Sequence, residues 1–243
     1  MQKQPARVSS LRLVRPPRLE VGDRLTRLEF ERRYEAMPDV KKAELIEGVV
    51  YMPSPVRHPE HGKPQSLIVT WLGVYRAYTP LTDFSDNATV RMDEINEPQP
   101  DALLFIDQKA VGGARIGPDH YIEGAPELIA EVAASSASYD LHDKLDAYQR
   151  NGVREYIVWR VEDGELDWFR LRGETYVRLR PGAGGITRSR VFPGLWLNVN
   201  ALLADDLSRV LADLQKGLKS KEHGAFVKKL ARKALTRSRI QES

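Results

Sequence analysis

The sequence predicts one α/β domain built on a central mixed β-sheet flanked by α-helices. Strand-like segments recur along the chain while helical segments fall early, in the middle and late, an order that lays helices on a sheet. Leu128 to Ala133 is the most apolar strand candidate, as expected of a central strand covered on both faces. At 243 residues the chain can bury one sizeable core and carry an appendage, and it shows no internal repeat.

Met1 to Val21 is rich in Arg and Pro without a steady period and reads as a loose arm. Thr26-Arg-Leu-Glu29 is a capping-box pattern, which predicts a helix from Arg27 to about Ala36. Glu44 to Met52 reads as a strand stopped by Pro53 and Pro55. From His61 to Tyr78 the positions Leu67, Ile68, Trp71, Leu72 and Tyr75 form a helical face. Asp83 to Met92 and Ala102 to Ile106 read as strands, and Gln108 to Gly124, with four glycines, as an exposed loop.

Ser138 is placed to cap a helix from Tyr139 to Arg150, closed by Asn151-Gly152. Glu155 to Val161, Glu165 to Leu171 and Thr175 to Leu179 follow as strands, with turns at Asp163-Gly164 and Arg172-Gly173. A glycine-rich stretch leads to Ser189 to Val199, and Val199 to Leu218 reads as a closing helix. The division expected is a basic arm over 1–24, a domain over 25–215 and a basic helical tail over 216–243. That tail could pack on the body, lie on nucleic acid or stay mobile.

Zero cysteines exclude a disulfide framework and cysteine-based zinc sites. No apolar stretch approaches the roughly 18 residues a bilayer span needs, and the arginine-rich start lacks the apolar block of a secretory signal. A cytoplasmic protein with no membrane partner is the simplest reading. The net charge of +3 is uneven: Met1 to Arg27 carries seven basic and two acidic residues, and Lys216 to Ser243 nine and two. Leu28 to Gln215 carries 21 basic and 30 acidic residues. An acidic centre suits a metal site but repels nucleic acid unless cations or basic arms intervene. The plainer reading of the ends is solvated tails that aid solubility.

The chemistry centres on acids and one lysine. Pro100-Asp101 opens the apolar run Ala102 to Ile106, Glu131 lies near the end of the run Pro126 to Val132, and Lys144 follows in a helical segment. Two carboxylates on neighbouring buried strands, with a lysine nearby, could hold a divalent cation and steady an attacking water, as phosphodiester hydrolysis requires. Asp140 lies one helical turn before Lys144 and could position it. Plainer roles exist for each. Asp101 could end a loop, Glu131 could sit in a structural ion pair, and Lys144 could be solvated. His58 and His61 read first as loop and helix-start residues, with a phosphate or catalytic contact as the alternative; Tyr148 reads as core. Neither a phosphate-binding Gly-rich loop followed by lysine nor a Gly-x-Ser-x-Gly elbow is present.

An ordered series extends this pattern: Glu44-Leu-Ile-Glu-Gly, Met52-Pro-Ser-Pro with His61, Pro100-Asp101, Gly124-Ala-Pro-Glu-Leu-Ile-Ala-Glu131-Val, Asp140-Leu-His-Asp-Lys144-Leu-Asp-Ala-Tyr148, and Gly152-Val-Arg-Glu-Tyr-Ile-Val. The series resembles the bacterial Uma family of putative restriction endonucleases, within the PD-(D/E)XK nuclease superfamily, over roughly Leu25 to Leu203. The resemblance implies a restriction-endonuclease-like fold and a metal-dependent endonuclease acting on DNA. It implies Mg²⁺, with Mn²⁺ as substitute, held by Asp101, Glu131 and Glu44, with Lys144 completing the catalytic set. Glu47 competes with Glu44 for the early acid. The chain departs from the superfamily at Ala133, where lysine is usual; in the Uma family the lysine comes from the following helix, where Lys144 stands. The common Ser-Pro-Ser-Thr stretch is here Ala134-Ser-Ser-Ala-Ser138. A homodimer would supply the two sites that double-strand cutting needs. The alternatives are a catalytically inactive nuclease-fold module binding nucleic acid or protein, and a hydrolase of another phosphate-containing substrate.

Overall fold

A computed structural model describes residues 16–52, 57–134 and 137–241. The chain begins with α1 (Arg27–Glu35), the strands β1 (Glu44–Ile46) and β2 (Val49–Tyr51), and α2 (Lys63–Ala77). β3 (Thr82–Ser85), β4 (Val90–Arg91), β5 (Ala102–Ile106), β6 (Arg115–Ile116), β7 (Ile122–Glu123) and β8 (Leu128–Ala133) follow. The second half contains α3 (Ala137–Leu141), α4 (Asp143–Arg150), β9 (Glu155–Arg160), β10 (Glu165–Arg172) and β11 (Thr175–Arg178). It ends with β12 (Ile186–Arg188), β13 (Trp196–Asn198), α5 (Val199–Leu203), α6 (Leu207–Leu218) and α7 (Lys221–Gln241). Among the described residues no helix is long and apolar enough to cross a membrane.

The main sheet is mixed, in the order β11-β10-β9-β8-β5-β3. β8 and β9 are parallel and the other pairs antiparallel. β8 is central, as its predominantly apolar character predicts. Both faces of the sheet are covered, so β5 and β8 have no solvent side on which to alternate. On one face Ala102, Leu104, Leu128 and Ala130 pack with Trp71, Leu72, Tyr75, Trp168 and Leu214. On the other, Leu103, Phe105, Ile129 and Ala133 pack with Tyr148, Val153 and Tyr156.

Several local expectations are corrected. The capping box does not form: the Thr26 side chain makes no cap bond, and Glu29 is bound by Arg32 at 2.7 Å and Arg33 at 2.6 Å, charge-assisted bonds that outcompete an amide. Glu44 to Met52 is a hairpin, with Ile46 paired to Val49 and positive φ at Glu47 (53°) and Gly48 (72°), as a two-residue primed turn demands. Asp83 to Met92 divides at a bend containing Asn87 (φ 50°), so β3 joins the main sheet while β4 pairs with β7 in a small sheet. The presumed loop from Gln108 therefore contains β6 and β7.

The helix expected after Ser138 is broken at His142 (φ −122°, ψ −83°), and Ser138 lies within α3 instead of capping it. The closing helix is likewise divided, near Asp205 (φ 60°), and Asp206 caps α6 by accepting from the Arg209 amide at 2.9 Å. Gln215 and Lys216 lie inside α6, and the basic segment beyond them folds back as α7. There Leu230 is buried and the ring of Phe226 meets that of Phe192 edge-on at 6.3 Å. Residues 1–15, 53–56, 135–136 and 242–243 lie outside the described residues, and with them most of the expected arm, the Pro-Ser-Pro part of the motif series and the last two residues of the expected tail.

Candidate active site

Asp101 precedes β5 by one residue, and Glu131 is the fourth residue of β8. The antiparallel register pairs Ala102 with Ala130 and Leu103 with Ile129, so its continuation sets Asp101 opposite Glu131. Residues opposite each other in an antiparallel pair share a face, here that of Leu103 and Ile129. The Asp101 amide donates to Glu131 Oε2 at 3.4 Å, and Asp101 Oδ2 accepts the Val132 amide at 2.8 Å. Both carboxylates are buried.

Lys144 enters from α4. Its Nζ is 2.9 Å from Glu131 Oε1, 3.1 Å from Glu44 Oε1 and 3.7 Å from Asp140 Oδ1. Glu44 projects from β1 and also accepts the Gln99 amide at 2.7 Å. The four residues proposed from sequence, Glu44, Asp101, Glu131 and Lys144, therefore meet in one buried cluster. Glu47, the competitor of Glu44, instead forms an ion pair with Arg150. Tyr148, four residues beyond Lys144 on α4, donates its hydroxyl to Glu131 Oε1 at 2.7 Å. His61 Nε2 stands 3.2 Å from Asp101 Oδ2, and Lys42 Nζ 3.7 Å from Asp101 Oδ1. These two are the partly exposed members of the cluster and mark its open side. His58 is exposed on the preceding turn.

Burial dominates the electrostatics. It pushes the Glu131 carboxyl up to about 8, with Asp101, Asp140 and Glu44 adding repulsion and Lys144 opposing. Burial also works against the Asp101 charge, yet the His61 bond and the charge of Lys42 outweigh it and hold that carboxyl below its ordinary value. For Lys144 burial disfavours the cation, but Glu131, Glu44 and Asp140 more than compensate and raise its pKa. Three buried carboxylates, those of Glu131, Glu44 and Asp140, thus surround one buried ammonium, with Asp101 beside them. Among the described residues no three His, Asp or Glu side chains are gathered at metal-holding spacing. The donor chemistry nevertheless fits a hard divalent cation: Asp101 and Glu131 offer oxygens from rigid, adjacent strands in an acidic cluster. Glu44 and Glu131 are both also held by Lys144, Glu44 together with the Gln99 amide and Glu131 together with the Tyr148 hydroxyl.

A mixed sheet flanked by helices, with this acid and lysine cluster between its central strands, is a restriction-endonuclease-like fold. The chain belongs to the Uma2 family, described as putative restriction endonuclease, whose model matches residues 28–200. A crystal structure of a putative nuclease from Anabaena variabilis at 1.96 Å resolution matches with a TM-score of 0.54 and 12% identity, covering 71% of this chain and 96% of that one. No match was found among curated proteins. Family and fold together support a nuclease.

The sequence does not single out Lys42 and Gln99, and it points to the core before the site for Tyr148. A signal existed for two of them. Lys42 is two residues before Glu44, the spacing that puts side chains on one side of an extended chain. Tyr148 lies one helical turn after Lys144.

Proposed function

We propose that this protein is a metal-dependent endonuclease that hydrolyses phosphodiester bonds of DNA in the cytoplasm, with a second copy of the chain supplying the second cut. The observation that carries the reading is the placement of Asp101 opposite Glu131 on one face, with Lys144 bonded to both Glu131 and Glu44. In this reading Asp101 and Glu131 hold Mg²⁺ or Mn²⁺. When bound, the cation polarises the scissile phosphate and lowers the pKa of water.

The remaining roles belong to the side chains. Lys144 donates from Nζ to the attacking water or a phosphate oxygen and offsets the charge growing there. Glu44, already bonded to Lys144, positions that ammonium, and Tyr148 fixes the orientation of Glu131. Lys42 and His61, at the open side, meet the phosphate as it arrives.

Calorimetric titration with Mg²⁺ and Mn²⁺, paired with nicking of supercoiled plasmid, tests the reading. One cation site and metal-dependent nicking are expected. A protein that binds cation and DNA but leaves plasmid intact would favour the inactive module, to which the extensive ion pairing of Lys144 lends some support. A protein that binds neither ion and leaves plasmid intact overturns the proposal.

A further inference from the structure

We propose that α7 is a phosphate-backbone clamp for duplex DNA, separate from the cleavage site; the choice of DNA as partner rests on the nuclease reading. Over Lys221–Gln241 the helix carries seven basic residues and one acid, Glu222, on a chain whose central 188 residues are net acidic. A strong local positive field on an otherwise repelling body is the electrostatic footprint of polyanion binding.

The charges are ordered by how the helix packs. His223 and Leu230 are buried and Phe226 and Val227 half-buried, so this stripe faces the body. His223 Nε2 lies 3.0 Å from Thr79 Oγ1, which anchors the first turns. Lys221, Lys228, Arg232 and Arg239 lie 7, 11 and 18 positions apart from the first, close to whole turns at about 3.6 residues each, and all four are exposed. They form one outward line of about 27 Å at roughly 1.5 Å per residue. Duplex DNA presents a charge about every 1.7 Å, so such a line can reach several phosphates.

The apolar stripe also argues against a membrane surface as the partner. An interfacial helix turns its apolar face toward lipid, whereas α7 spends that face on the protein core. The exposed Leu235 and Ile240 flank the basic line on opposite sides and do not merge into a patch.

α7 is anchored away from the acids. Arg237 Nη1 donates to the Gln108 carbonyl at 2.6 Å, on the turn following the C-terminal end of β5, while Asp101 precedes its N-terminal end. The two places are separated by at least the strand's length, roughly 17 Å at about 3.3 Å per residue. Contacts along α7 therefore add affinity without reading bases or touching the reacting phosphate.

The test is the quadruple variant Lys221→Gln, Lys228→Gln, Arg232→Gln, Arg239→Gln in the full chain, with fluorescein-labelled 30-base-pair DNA of random sequence and EDTA present. Outward substitutions leave the buried stripe intact, so the thermal midpoint serves as the folding control. With about 0.9 counterion released per phosphate contact and four contacts removed, log affinity against log salt should become shallower by about 3.6. Cleavage at saturating DNA with Mg²⁺ should persist. An unchanged salt slope, or no DNA binding by the parent protein, overturns the clamp. So does a variant that loses binding only to vesicles containing phosphatidylserine. Absence of cleavage with the slope effect intact would instead sink the nuclease reading and leave the clamp standing.

Discussion

Lys144 Nζ lies 2.9 Å from Glu131 Oε1, a contact from α4 to the central strand β8 between two buried side chains. The pair is one edge of a network that includes Glu44 and Asp140, so the ammonium offsets more negative charge than a single salt bridge would. Removing one partner of such a buried group leaves uncompensated charge, which costs far more than the pair contributes.

Lys144→Ala should therefore impair both chemistry and folding. Cleavage should fall by about 100-fold or more. In EDTA the urea midpoint should drop by an amount equivalent to about 3–5 kcal/mol, and Mn²⁺ should restore part of it by supplying replacement positive charge. Parental stability in EDTA would show that the carboxylates do not depend on the lysine.

Asp101→Asn should separate metal binding from folding. The Asn carbonyl can still accept the Val132 amide now bonded to Asp101 Oδ2 at 2.8 Å, so stability should change by less than about 1 kcal/mol. Cation affinity should weaken at least tenfold and nicking should disappear, because a neutral amide replaces a charged oxygen ligand. Calorimetry on the variant decides the matter: an unaltered Mn²⁺ isotherm removes Asp101 from the site.

Gly217→Ala should destabilise the protein even though alanine favours helix by about 1 kcal/mol. A Cβ at this position of α6 would stand 2.2 Å from the Gly194 carbonyl oxygen and 2.8 Å from the Trp196 ring. The backbones must separate, at a net cost of about 1–3 kcal/mol. Chemical denaturation should show a lower midpoint at unchanged slope, and a raised midpoint would mean that α6 docks less tightly than the distances imply.

The same physics explains what was legible in the sequence. β5 and β8 could be read to the residue because a strand covered on both faces is apolar at nearly every position, Glu131 being the exception in β8. Boundaries failed where single backbone conformations decide them: positive φ at Glu47 and Asp205 is not visible in residue type, and His142 breaks a pattern whose apolar spacing continues through it. Asp101 and Glu131 stood out as acids at the ends of apolar runs, but their facing each other depends on strand register. Gln99 reaches the cluster only through tertiary approach, contributing a backbone amide that no side-chain motif encodes, and the spacing of Lys42 to Glu44 is masked because Lys42 follows another lysine and resembles a solvated pair.

Glu155 provides a pH-dependent test away from the acid and lysine cluster. It opens β9, is fully buried, and holds the turn before β13: Oε2 accepts the Ser189 hydroxyl at 2.7 Å, and Oε1 accepts the amides of Arg190 at 2.6 Å and Val191 at 3.2 Å. Burial raises its carboxyl to about 6 from the ordinary 4.5, and these bonds only partly oppose the rise. Because the folded value is the higher one, the folded state binds the proton more tightly. The associated stability is full below about pH 4.5 and is lost as pH rises through about 6. A shift of this size corresponds to about 2 kcal/mol. Glu155→Gln keeps an acceptor for the amides and offers a donor to Ser189, but cannot titrate. Urea unfolding at pH 5 and pH 8 should therefore show the stability difference between the two pH values reduced by about 1 kcal/mol in the variant, because part of the shift is already lost at pH 5, with the other buried acids contributing equally to both proteins. An identical pH profile in the two proteins would mean that Glu155 has the same proton affinity folded and unfolded, and that its three hydrogen bonds fully offset its burial.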